Sequence, residues 1–169
     1  MVELMSAAEQ VDREFALARR RARLHGLGRR LARSTGTGRL LPFEETRRLV
    51  GAYGGLRRGR STVEVARIVG SAGKHDQFDD EFMPLQGASP ERWKRMDRAY
   101  RAGEQLPSVS LYRLDGDYFV QDGHHRVSVA RFHEAEWIDA DITEFKSSRN
   151  RKGPAGSGGL TPATGFLSA

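Results

Sequence analysis

The chain has 169 residues, 38% of them hydrophobic and 30% charged, enough for one domain with an appendage and a sizeable core. No apolar run approaches the roughly 18 residues of a membrane span, the amphipathic start MVELMSAAEQVDREF argues against a secretory leader, and the absence of cysteine excludes disulfides and thiol chemistry. The net charge of +6 is unevenly spread, with +8 on residues 1–60, −5 on 61–146 and +3 on 147–169.

Leu4, Ala8, Val11, Phe15, Ala18 and Ala22 recur at alternating spacings of four and three, which predicts a helix. Ser6 and Glu9 form a capping-box pair at its start, and Gly26 and Gly28 predict a bend or break near its end. Residues 34–38 read as a turn. A second helix is expected from Pro42 to Gly54-Gly55, with Phe43, Thr46, Leu49 and Val50 inward. Val63, Val65, Ile68 and Val69 read as the first strand, followed by an acid-rich loop from Gly70 to Pro84. Ser89 and Pro90 open a third helix, with Trp93, Met96 and Tyr100 inward. Residues 108–114 and 118–121 predict a hairpin across Asp115-Gly116. A short helix then carries Val127, Val129, Ala130 and Phe132, and residues 137–142 form a last strand with Ile138, Ala140 and Ile142 on one face. The Gly/Pro-rich remainder is predicted to be flexible. The expected division is a basic helical extension over 1–60, a folded module over 61–146 and a basic tail over 147–169.

The informative segment is YFVQDGHHRV, residues 118–127. A strand ends at Asp122, Gly123 permits a tight turn, and a helix starts at His124 or His125. Unpaired backbone N–H groups and a partial positive charge make such a helix start suited to phosphate. Gly123 allows close approach of an anion, Arg126 can add a charged fork, and Asp122 can hold a metal ion or orient a hydroxyl. Structural roles compete at each position. Asp122 can cap the helix, and Asp76, Asp79, Asp80 and Glu81 can form a solvated loop or hold Mg2+ beside phosphates. His25 and His133 fit surface or half-buried positions, and Trp93, Tyr100 and Trp137 fit a core.

DGHHRVSVAR, set between a hairpin strand and a short strand, resembles the ParB/sulfiredoxin-like superfamily, most strongly over 118–133 and reasonably over 63–145. The resemblance implies an α/β fold: a small mixed sheet with packed helices, here with an added helical N-terminal extension. It implies that the Gly-x-x-Arg turn of Gly123, His124, His125 and Arg126 binds nucleotide phosphates. DGHHR is similar to the form found in the free-serine kinases of that superfamily, and Lys74-His75-Asp76-Gln77 is similar to their His-Glu-Gln loop. On that basis Asp76 and Asp122 are the implied catalytic acids, Asp122 with Mg2+, although Asp76 is one methylene shorter than the Glu it replaces. Sulfiredoxin chemistry is excluded because its catalytic cysteine is missing, and the Gly/Pro tail stands where a centromere-binding protein has a helix-turn-helix domain.

The leading expectation is therefore a stand-alone module that binds a nucleotide (NTP or NDP), with or without Mg2+ and with or without slow turnover. Its basic extension is expected to contact nucleic acid or a ribonucleoprotein through Arg19, Arg20, Arg21, Arg23, Arg29 and Arg30. A small-molecule kinase and a non-enzymatic adaptor docking by its first helix are the alternatives. A cytoplasmic chain without a membrane partner is expected, with a homodimer among the candidate assemblies.

Overall fold

The structure, a computed structural model, describes residues 5–31 and 38–148, with the side chains of residues 30 and 31 excepted. It is an α/β arrangement in which a six-stranded mixed sheet is packed by four helices. The helices are α1 (Ala7–Leu31), α2 (Phe43–Leu49), α3 (Pro90–Arg101) and α4 (His124–Phe132). The strands are β1 (Leu41–Pro42), β2 (Tyr53–Glu64), β3 (Ile68–Ser71), β4 (Val109–Leu114), β5 (Asp117–Asp122) and β6 (Trp137–Lys146). Their order across the sheet is β1-β3-β5-β4-β6-β2. The β3–β5 and β4–β6 pairs are parallel, while β4–β5 and β2–β6 are antiparallel.

Side-chain alternation puts the two faces of the sheet to different uses. Tyr118 and Val120 of β5, with Val109 and Leu111 of β4 and Ala140 and Ile142 of β6, join Ile68, Phe78, Phe82 and Val127 in one buried cluster. Phe119 and Leu114 point the other way, against Phe43 of α2. This is the period-two pattern of a sheet covered on both sides. A further cluster joins Phe15, Ala18 and Ala22 of α1 to Trp93 of α3 and to Val129 and Phe132 of α4. Trp93 is fully buried, and its indole N–H donates to Ser128 Oγ at 2.9 Å. Polar contacts bind the same three helices. Arg101 of α3 pairs with Glu14 of α1, and His133 Nε2 lies 2.6 Å from Asp97 Oδ1. Burial pushes the Asp97 carboxyl up to about 6.

Several local expectations are met. Ser6 and Glu9 exchange the capping-box hydrogen bonds, and Ser89 Oγ accepts from Arg92 N with Pro90 in the first turn. Asp115 and Gly116 both take positive φ, 51° and 95°, the conformation a two-residue hairpin turn of matching twist requires.

Others are corrected. The first helix is continuous through Gly26 and Gly28 to Leu31, because packing and pairing of its inner face outweigh the propensity cost of two glycines. The second helix stops at Leu49, where Gly51 turns left-handed at φ 59°, and Gly54 and Gly55 belong instead to β2. The first predicted strand is two elements, the end of β2 and β3, separated by a 3-10 turn at Val65–Arg67, and β2 begins ten residues before Val63. Its Arg57, Arg58 and Arg60 therefore lie on a strand. The final strand continues past Ile142 to Lys146. Tyr100 and Trp137 are not core residues: Trp137 is half exposed, and Tyr100 lies at the surface, stacked on His133 at 4.7 Å. The boundary placed between residues 60 and 61 falls inside β2. Leu4, the turn from 34 to 37 and the tail beyond 148 lie outside the described residues.

Candidate phosphate site at the β5–α4 turn

β5 ends at Asp122, Gly123 takes φ 97°, and α4 begins at His124. A Cβ at Gly123 would stand 2.7 Å from Val109 Cγ1 and 3.1 Å from Arg126 Cζ, so the turn needs glycine for both conformation and space. Gly123 is itself the N-cap, and no side chain caps the helix, which corrects the capping role considered for Asp122. The first-turn N–H groups of α4 therefore face a cavity of about 260 Å3. Lys74, Arg92, Arg95, Met96, Asp122, Gly123, His124, His125 and Arg126 line it. Four cationic side chains and one carboxylate make it locally positive, although residues 61–146 are net acidic.

Each lining residue has a distinct condition. Arg126 Nη1 donates to Pro107 O and Ser108 O, both at 2.6 Å, and Nη2 pairs with Asp122 Oδ2 at 2.9 Å. Its guanidinium thus braces the turn against the start of β4, leaving Nε–H and one Nη2–H for a ligand. Asp122 is largely exposed apart from that ion pair. The two imidazoles are buried. His124 Nε2 lies 2.6 Å from Ser71 Oγ and its ring stacks on Phe78, while His125 meets the same ring edge-on. Burial, reinforced by repulsion from Lys74, pushes both pKa values down to about 4. Both rings are therefore neutral at pH 7. His125 belongs to the lining of the positive cavity, while its Nε2 is buried with no hydrogen-bond partner among the described residues and the ring also interacts with the Ser89 backbone.

Gly123, His124, His125, Arg126 and Asp122 are brought together here as the sequence reading places them. Asp76 is not: it is exposed and lies outside this lining. Lys74, Arg92 and Arg95 were missing from the sequence-derived set. Arg92 and Arg95 sit three residues apart on α3, a spacing that puts both on one face, yet only the packing of α3 against α4 reveals what that face meets.

The six arginines proposed for nucleic acid separate into different environments. Arg20 and Arg23 are exposed, Arg19 is half-buried, and none of the three has an ion pair among the described residues. Arg21 donates to Phe132 O at 3.3 Å and lies over the Phe132 ring, while Arg29 pairs with Asp80 at 2.7 Å. The Arg30 side chain lies outside the described atoms.

No protein-family model matches the chain, and no curated protein matches it. Among solved structures it is similar to sulfiredoxin from Arabidopsis thaliana, with 13% identity and a TM-score of 0.38 over 49% of this chain and 82% of that one. No helix among the described residues is long and apolar enough to cross a membrane.

Proposed function

We propose that this chain is a nucleotide-binding module whose β5–α4 turn takes the phosphates. The observation that carries this reading is the cavity itself. It joins an uncapped helix start, a glycine that lets an anion approach, three flexible cations and the neutral His125 ring in one lining. Backbone N–H groups of residues 124–126 would bond phosphate oxygens. Lys74, Arg92 and Arg95 would neutralise the charge. Arg126 acts chiefly by holding the turn in shape. Asp122 is the carboxylate in the lining and would hold Mg2+ against the phosphates, since that ion is commonly bound by one or two carboxylates plus phosphate oxygens.

A small-molecule kinase using Asp76 and Asp122 is the alternative reading; Asp122 lines this cavity and Asp76 does not. Slow hydrolysis of the bound nucleotide needs only Asp122, Mg2+ and water, and it stays within the proposal. A polyanion contact through α1 is a separate part of the reading, now resting on Arg19, Arg20 and Arg23 with the strand residues Arg57 and Arg60, since Arg58 Nε donates to Glu144 at 2.7 Å.

Calorimetric titration of the full chain with ATP, GTP, CTP and ADP, with and without Mg2+, tests it. At least one of these is expected to bind. Replacing Arg92 and Arg95 by alanine should weaken it by about 1.5–3 kcal/mol for each charged hydrogen bond removed. Asp122→Asn should remove the gain from Mg2+. Absence of binding by the wild type at millimolar nucleotide would refute the proposal.

A further inference from the structure

Away from the β5–α4 turn, the last third of α1 meets the acid-rich segment after β3, and three ligand-type atoms converge there. His25 Nδ1 lies 3.4 Å from Asp80 Oδ1 and 3.7 Å from Asp79 Oδ2, and all three lie within 4.8 Å of one another. Asp79 is 4% exposed, and both Asp79 Oδ2 and Asp80 Oδ1 are buried without a hydrogen-bond partner. Two orphan carboxylate oxygens facing each other across an imidazole are costly unless something positive sits between them. The separations exceed the roughly 2.7–3.2 Å of a direct N–H···O bond. They match the edges of a coordination tetrahedron, where bonds of about 2.0–2.2 Å put ligand atoms about 3.3–3.6 Å apart.

The opposite carboxylate oxygen of each aspartate is already held. Asp79 Oδ1 accepts from the backbone N–H groups of Met83 at 2.7 Å and Glu81 at 3.0 Å. Asp80 Oδ2 accepts from Arg29 Nη1 at 2.7 Å. His25 Nε2 lies 3.7 Å from Glu81 Oε1, an ion-pair distance and not a hydrogen bond. Metal-binding carboxylates are commonly oriented by hydrogen bonds of this kind to their other oxygen.

We propose that His25, Asp79 and Asp80 form a binding site for a divalent transition-metal ion of the Zn2+ type, clamping α1 to the loop after β3. Two carboxylates balance the ion's charge, and the imidazole favours Zn2+ over Mg2+, which takes oxygen ligands. Three protein ligands leave a fourth position for water or a substrate atom. None of the three residues lines the cavity at the β5–α4 turn, so the inference stands independently of nucleotide binding.

The test is a calorimetric titration of chelator-stripped full-length protein with ZnCl2, repeated with MgCl2, and a Co2+ titration followed by visible absorption. One equivalent of Zn2+ is expected to bind, with a tetrahedral Co2+ spectrum and little response to Mg2+. His25→Ala and Asp80→Asn should each lower Zn2+ affinity by more than about 100-fold, beyond the loss typical of an outer-shell partner. His25 is a half-buried helical residue and alanine favours helix, so that variant keeps its fold, as circular dichroism would verify. Glu14, Asp97 and His133 form the other group of similar geometry among the described residues, which makes His133→Ala the control. Absence of Zn2+ binding by the wild type, equal binding by His25→Ala, or loss of binding in His133→Ala alone would each overturn the proposal.

Discussion

Replacing Gly123 by alanine tests both the fold of the β5–α4 turn and its proposed use. Two costs add. A side chain held left-handed costs about 1–2 kcal/mol, and the new Cβ would approach Val109 Cγ1 to 2.7 Å and Val109 Cβ to 3.0 Å. Val109 is fully buried, so it cannot swing aside without disturbing the core between β4 and α4. Overpacking of that kind costs a further 1–3 kcal/mol or so. Gly103 supplies the reference, since it takes φ 67° and its added Cβ would meet nothing within 4 Å. Gly103→Ala therefore carries only the conformational cost. Scanning calorimetry should place the Tm of Gly123→Ala about 2–12 °C below that of Gly103→Ala, given about 2–4 °C per kcal/mol in a chain of this size. Because Arg126 Cζ would stand 3.1 Å from the same Cβ, nucleotide affinity should fall for Gly123→Ala and stay unchanged for Gly103→Ala. Equal melting temperatures for the two variants would refute the packing argument.

Acid should destabilise the protein through the two buried imidazoles. Their pKa values fall from 6.5 in the unfolded chain to about 4 when folded, so the unfolded state takes up protons first and stability drops as pH falls from 6.5 to 4. The limit is about 3 kcal/mol per ring. Asp97, raised to about 6, and Asp79, whose carboxyl burial also pushes up, act oppositely as pH falls, so the contribution of the two rings is read from the difference between wild type and their double variant. Urea denaturation at pH 7 and 4.5 should show a smaller loss in His124→Gln/His125→Gln; an equal change in both proteins would contradict it. For polyanion binding, Arg20→Ala/Arg23→Ala should reduce the slope of log K against log salt on duplex DNA by about 2. An unchanged slope would remove α1 from the interface.

The elements with strong local chemistry were legible in the sequence. Ser89-Pro90, Asp115-Gly116 and the Asp122-Gly123 turn each combine a special backbone demand with the residue that meets it, so position follows from a few neighbours. β2 was hidden because every residue from Tyr53 to Thr62 is exposed, on both faces of the strand, which removes the apolar alternation that marks a strand. Its pairing with β6 is a long-range fact, absent from any local window. The candidate site divides the same way. Gly123 and Arg126 belong to one short motif, whereas Arg92 and Arg95 reach the cavity only through helix packing. His25 meets Asp79 and Asp80 across more than fifty residues, and nothing in the spacing announces that meeting.

β2 closes one side of the sheet, so among the described residues the backbone along its outer side has no neighbouring strand. A twelve-residue strand in that position invites another chain to add itself, the first step toward edge-to-edge aggregation. The strand carries its own deterrents. Arg57, Arg58 and Arg60 place like charges where a second copy would align, and register shifts at Tyr53/Leu56 and Arg57/Gly59 break the straight template that such addition needs. Solubility of the whole protein thus depends on residues that hold none of its core together.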